Sequence, residues 1–113
     1  MYEYQMQIVK VVDGDTVDAI VDLGMSVSVK ERFRLYGINA PETRGSKLTP
    51  EQRAAGKAAT QHLKDLLSAG PVTGRTLKDR KGKYGRYLVE LFVGDRNLNQ
   101  QMIEDGHAVE CFY

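Results

Sequence analysis

A β-rich α+β fold is what this sequence predicts, on three observations. The first third of the chain alternates apolar and polar residues in runs separated by turn residues. A long amphipathic stretch follows, opening on a capping-box pattern and closing on Gly70-Pro71. Two further β-branched runs then flank a basic, glycine-containing loop.

Each element has its own signal. Residues 3–12 (EYQMQIVKVV) place Met6 and Ile8 between polar neighbours, and Val9, Val11 and Val12 add β-branching, so they read as a strand. Asp13-Gly14-Asp15 is a turn signal. Residues 16–23 (TVDAIVDL) resume a strand with Val17, Ala19 and Val21 on one face, until Gly24 breaks it. Residues 26–36 alternate again through Val27, Val29, Phe33 and Leu35, giving an antiparallel three-stranded meander. Gly37 to Leu48 reads as loop. Thr49 is then placed to N-cap a helix, with Pro50 at its first position and Gln52 completing the capping box. That helix runs to about Leu67, with Ala55, Ala59, Leu63, Leu66 and Leu67 as its apolar stripe.

Residues 72–78 and 87–93 are the fourth and fifth strands, separated by Asp79 to Arg86. Gly94-Asp95 turns the chain, Asn99 is expected to cap a short helix ending near Gly106, and Val109 to Tyr113 read as extended. Strand, strand, strand, helix, strand, strand, helix is the order of an OB-fold: a five-stranded antiparallel barrel with one main helix after strand three. The order alone does not single that fold out, nor does a fold assign a function.

The 113 residues fit one domain, taken here as 1–113. A charged fraction of 27% and an apolar fraction of 42% argue against a disordered chain. The net charge of +1 argues neither for nor against nucleic acid, so local clustering has to decide. The single cysteine, Cys111, excludes an internal disulfide and a Cys-x-x-Cys metal site, and is expected to pack as a small hydrophobe. The N-terminus carries no basic flank leading into an apolar run, and no stretch approaches the ~18 apolar residues of a membrane span. A cytoplasmic location is the default expectation.

Four short segments gather the residues that could do chemistry: Asp13-Gly14-Asp15-Thr16, Phe33-Arg34-Leu35, Asn39-Ala40-Pro41-Glu42-Thr43 and Lys83-Tyr84-Gly85-Arg86. Hydrolysis of a phosphodiester needs a base within reach of the attacking water. It needs fixed positive charge where the phosphoryl oxygens become more negative, and a guanidinium binds them in a planar, bidentate way. A hard cation helps by polarising the phosphoryl oxygen, and it prefers oxygen ligands. Asp15, Asn39, Glu42, Arg34 and Arg86 supply all of these parts.

Taken singly, each segment has a plainer explanation. Asp-Gly-Asp is ordinarily a hairpin turn, and it is no EF-hand loop, because Gly24 stands where the twelfth-position glutamate belongs. An arginine inside a strand ordinarily lies on a solvated face. The basic run Arg75, Lys78, Arg80, Lys81, Lys83 and Arg86 fits a solvated loop as well as a phosphate-binding rim. His62 and His107 lie far in sequence from all four segments and are expected to be structural or solvated.

In combination and in this order, the four segments closely resemble the staphylococcal nuclease family, over about Ile8 to Val109. The resemblance implies Asp15 and Asn39 as side-chain ligands of Ca²⁺, with the Ala40 carbonyl beside them. It implies Glu42 as general base, Arg34 and Arg86 on the reacting phosphate, and Lys83 and Tyr84 near a second phosphate of the nucleotide. Phe112 falls near the first of two tyrosines that help form the family's nucleotide pocket, and Tyr113 stands loosely for the second. Family members usually continue into a further helix.

Two departures matter: the pocket tyrosines are matched only loosely at Phe112 and Tyr113, and Asn39 replaces a carboxylate, which removes a charge and should weaken calcium binding. The expectation is a calcium-dependent nuclease, a monomer without membrane partners, cutting DNA or RNA. Unpaired strands or frayed ends should be favoured, since OB grooves stack free bases. The alternative is a non-catalytic nucleic-acid-binding module of the same family.

Overall fold

The computed structural model describes residues 2–81 and 87–112, with residues 78–81 described by their backbone alone. Strands β1 (Tyr2–Asp13), β2 (Thr16–Gly24) and β3 (Val27–Leu35) form the expected meander. The pairings run Met6↔Val21 to Asp13↔Thr16 and Thr16↔Arg34 to Gly24↔Val27. β1 serves two partners: Met6 to Asp13 pair with β2, and Tyr2 to Met6 pair with a later strand, β5 (Val72–Lys81). The register of β1 slips between Ile8 and Lys10 and again between Val11 and Asp13. Such bulges sharpen strand curvature, which a strand turning from one neighbour to the other requires. They also disturb the face alternation: Val9, predicted only as a β-branched strand residue, is exposed.

A two-residue strand, β4 (Ile38–Asn39), lies inside the segment read as loop. Helix α1 (Pro50–Leu67) begins as the sequence predicts. The Gln52 N–H donates to Thr49 Oγ1, and the Thr49 N–H donates to Gln52 Oε1. Its buried face is Gly56, Ala59, Leu63 and Leu67; Leu66 is half-buried, and Ala55, expected on the stripe, is exposed.

β5 (Val72–Lys81) and β6 (Tyr87–Val93) pair antiparallel. The barrel closes where β6 meets β3 in parallel, Phe33↔Tyr87 to Leu35↔Val89. The expectation of five barrel strands and two helices therefore holds, with this one parallel seam in an otherwise antiparallel wall. β7 (Arg96–Asn97) extends the sheet beyond β6, and β8 (Val109–Glu110) pairs with β4.

Helix α2 (Leu98–Glu104) corrects one expectation. Its N-cap is Asn97, whose Oδ1 accepts from the Gln100 N–H. Asn99, predicted to be the cap, is buried inside the first turn. Its Oδ1 accepts from the Leu91 N–H, and its Nδ2 donates to the carbonyls of Tyr36 and Val89. It thus ties α2 to β6 and to the end of β3. Both asparagines suit a cap by type, and the barrel wall behind Asn99 decides between them.

The core joins Val17, Ala19, Val21, Phe33, Leu35, Val89 and Leu91 of the barrel to Leu63 of α1 and Leu98 and Met102 of α2. Val27 and Val29, on the same predicted face as Phe33, are exposed because the β2–β3 hairpin runs on past the barrel wall. No helix among the described residues is long and apolar enough to cross a membrane.

Candidate active site

The β1–β2 turn carries Asp13, Gly14 and Asp15 to one end of the barrel. Asp15 is buried, and both carboxylate oxygens are engaged: Oδ2 accepts from the Ala40 N–H at 3.0 Å, and Oδ1 accepts from Thr16 Oγ1 at 3.0 Å. Its own carbonyl accepts from the Leu35 N–H, which locks the turn against β3.

Arg34 sits on that same stretch of β3, opposite Thr16. Only 4% of it is exposed, contrary to the ordinary expectation for a strand arginine. Its Nη1 donates to the Ile38 carbonyl (3.0 Å), its Nη2 donates to Asn39 Oδ1 (3.2 Å), and Nη2 lies 3.7 Å from Asp15 Oδ2. The segment from Ile38 to Ala40 thus folds over the guanidinium and supplies the polar partners that burying a charge requires. The planar fork is held in one orientation.

Glu42 follows on the same loop. It is exposed, and among the described residues its side chain makes no hydrogen bond or ion pair. Its backbone, in contrast, is pinned. Thr43 Oγ1 donates to Asp13 Oδ1 at 2.7 Å, with the Thr43 N–H 3.4 Å from the same oxygen. On the other side, a Cβ at Gly56 of α1 would run into the Glu42 carbonyl. A Cβ at Gly14 would lie 2.9 Å from the Cβ atoms of both Ala40 and Ala59. Two glycines therefore let the turn, the loop and the helix approach closely.

Asp15, Arg34, Asn39, Ala40 and Glu42 thus converge on one barrel end. Asn39 is exposed and sits in β4, paired with Val109 of β8. The Phe112 ring meets Tyr36 edge-on at 5.3 Å, packs over Gly37 and is 59% exposed. Lys83, Tyr84, Arg86 and Tyr113 lie outside the described residues. Of the basic run, Arg75 points elsewhere. It pairs with Glu3 at 2.7 Å and lies over the Phe92 ring at 4.9 Å, so it is a barrel-wall residue.

His62 and His107 stack at 4.4 Å, and His62 Nε2 lies 2.6 Å from Asp105 Oδ2, joining α1 to the end of α2. Cys111 is half-buried, and its N–H donates to the Gly37 carbonyl. Three residues of the site had no role assigned from sequence, although two of the motifs contain them: Asp13, Thr16 and Thr43.

The three oxygens expected to hold a cation, in the Asp15 carboxylate, the Asn39 amide and the Ala40 carbonyl, belong to residues at this end of the barrel, and hard ions prefer such donors. Among the described residues no three His, Cys, Asp or Glu side chains gather into a metal-binding group.

Known proteins share this sequence pattern. Residues 32–113 match the family model described as staphylococcal nuclease homologue. The thermonuclease of Staphylococcus intermedius is 36% identical over 104 residues, covering 92% of this chain and 58% of that protein. The thermonuclease of Staphylococcus hyicus is 32% identical over 111 residues, 98% of this chain and 62% of its own length. Endonuclease YncB of Bacillus subtilis (strain 168) is 27% identical over 100 residues, 88% of this chain and 44% of that protein. The chain thus spans less than two thirds of the length of each of these curated relatives. A barrel closed through β3 and β6, a buried arginine beside the Asp-Gly-Asp turn, and a family match from Arg32 onward agree: this chain belongs to the staphylococcal nuclease family.

Proposed function

We propose that this chain is a metal-dependent nuclease that hydrolyses phosphodiester bonds of DNA or RNA, with Ca²⁺ as its cofactor. The observation that carries this reading is Arg34: a buried guanidinium held by the Ile38 carbonyl and Asn39 Oδ1, 3.7 Å from Asp15, on the loop-covered end of the barrel. Burying an arginine is costly, and a phosphate-binding fork is a reason to do so. The thermonuclease and endonuclease relatives support the same reading.

In this proposal Glu42, exposed and free of competing hydrogen bonds among the described residues, takes the proton from the attacking water. Arg34 and Arg86 hold the phosphoryl oxygens as their charge grows. Asp15, Asn39 and Ala40 would hold the calcium ion, which supplies Lewis-acid polarisation of the phosphoryl group. Lys83, Tyr84, Phe112 and Tyr113 would flank the nucleotide, with the exposed Phe112 ring free to stack on a base. Unpaired strands and frayed ends are the favoured substrates, because the phosphate has to reach both Glu42 and Arg34.

The test is cleavage of labelled single- and double-stranded DNA and RNA, with calcium and with chelator. Calcium-dependent cleavage is expected. Arg34→Ala should lose about 10²–10³ in rate. Glu42→Gln should lose turnover while oligonucleotide binding stays within a few-fold. Binding without cleavage under every metal condition would replace this reading with that of a non-catalytic binding module.

A further inference from the structure

We infer that Thr43 and Asp13 are positioning residues: the hydrogen bond from Thr43 Oγ1 to Asp13 Oδ1 sets where the Glu42 carboxylate stands. This rests on the nuclease reading above and extends it to two residues outside the metal, phosphate and base roles.

Glu42 has no tether of its own among the described residues, so its position is inherited from its backbone. That backbone is held at three points. Upstream, the Ala40 N–H donates to Asp15 Oδ2 (3.0 Å). Downstream, Thr43 is bound to Asp13 Oδ1 through its hydroxyl at 2.7 Å and approached by its N–H at 3.4 Å. At Glu42 itself, the carbonyl rests on Gly56 of α1 with no room for a side chain between them.

Asp13 and Asp15 belong to the same turn, so one rigid hairpin grips the loop on both sides of Glu42. The hairpin and Arg34 are in turn joined through the Leu35 N–H to Asp15 carbonyl bond. The base and the phosphate-binding fork are therefore referenced to a common support. Beyond Thr43 the Gly45 carbonyl accepts from the exposed Arg53 Nη2 (3.2 Å) and from the Leu48 N–H (3.4 Å), and neither bond reaches back to the hairpin.

A base held this way contributes by orientation, and a displacement of about 1 Å in such a group can cost as much as 10²-fold in rate. Losing the Thr43 hydroxyl should therefore lower kcat and leave substrate binding, which belongs to Arg34 and its neighbours, largely intact.

The experiment compares wild type, Thr43→Val and Thr43→Ser, read by cleavage kinetics and by hydrogen exchange of the Thr43 backbone amide. Valine keeps the shape without the hydroxyl; serine keeps the hydroxyl. In Thr43→Val, kcat should fall about tenfold or more with KM within about twofold. Exchange at the Thr43 amide should rise at least about tenfold relative to neighbouring amides of α1. Thr43→Ser should restore both. Unchanged exchange in Thr43→Val, or failure of serine to restore what valine loses, would overturn the proposal. A wild-type protein that cleaves nothing would sink the nuclease reading, while the exchange comparison would still decide whether this bond holds the loop.

Discussion

In the proposed function, Asn39 is the residue on which calcium affinity turns. Its amide oxygen accepts from Arg34 Nη2 at 3.2 Å, and the proposed function makes the same oxygen a ligand of the cation. Ligand charge tunes calcium affinity, and weakly charged sites fall toward the ~10⁻⁴–10⁻³ M range. Millimolar calcium is therefore the expected requirement for full activity. Asn39→Asp adds a carboxylate beside Asp15 and Arg34, and should lower the calcium concentration giving half-maximal cleavage. A calcium titration of both proteins on one oligonucleotide measures this, with calorimetric binding of calcium alone as an independent readout. Coincident midpoints in both would remove Asn39 from the ligand set.

At the scale of elements, α1 does two jobs. Its apolar face closes the barrel through Ala59, Leu63 and Leu67, and its first turns support the loop through Gly56. It is fastened to α2 by the hydrogen-bonded pair His62 and Asp105, with the His107 ring stacked on His62. The hydrogen bond from His62, then that from Gln101, then the positive fields of His62 and His107 hold the Asp105 carboxyl below the usual carboxylate range. A carboxyl whose pKa is lowered by folding stabilises the folded state above its unfolded pKa. That contribution is lost as pH falls through the lowered value. Asp105→Ala should accordingly lower Tm at neutral pH, and the two proteins should converge in acid. Thermal melts of both across the acid range check this; a Tm difference that persists undiminished at the acid end would contradict it.

For the molecule as a whole, the decisive contact is the short parallel seam between β3 and β6, which turns a bent sheet into a closed wall. Closure removes two sheet edges and seals Leu35, which is wholly buried opposite Val89. Leu35→Ala should cost about 2–5 kcal/mol in chemical denaturation, as expected for a leucine that leaves a cavity the barrel cannot collapse. Met25, at the tip of the β2–β3 hairpin and 95% exposed, is the matched control. Met25→Ala should stay within about 0.5 kcal/mol of wild type. Similar losses at both positions would show that stability does not reside in the seam.

The sequence by itself determined what depends on near neighbours. Helix α1 was legible from Thr49, Pro50 and Gln52 because a capping box closes within a single turn. The meander was legible because alternation along a strand reports which face is buried, at Val17, Ala19, Val21, Phe33 and Leu35. Together the four motifs pointed to the family, and the first three mark the barrel end that holds Asp15, Arg34 and the loop of residues 39–43, while the fourth lies outside the described residues. The tertiary structure alone decided the rest. Val9 is exposed next to a register slip in β1 that no local pattern announces, and Asn97 rather than Asn99 capped α2 because Asn99 found three backbone partners in the barrel. Arg34 is buried because a loop reaching from Ile38 to Ala40 covers it, an arrangement no local pattern at Arg34 encodes. Thr43 meets Asp13 across thirty positions of chain, and Gly56 meets Glu42 across fourteen. Propensity and capping are short-range forces, readable in a window of residues; hydrogen bonds and close approaches between distant segments exist only once the barrel has brought those segments together.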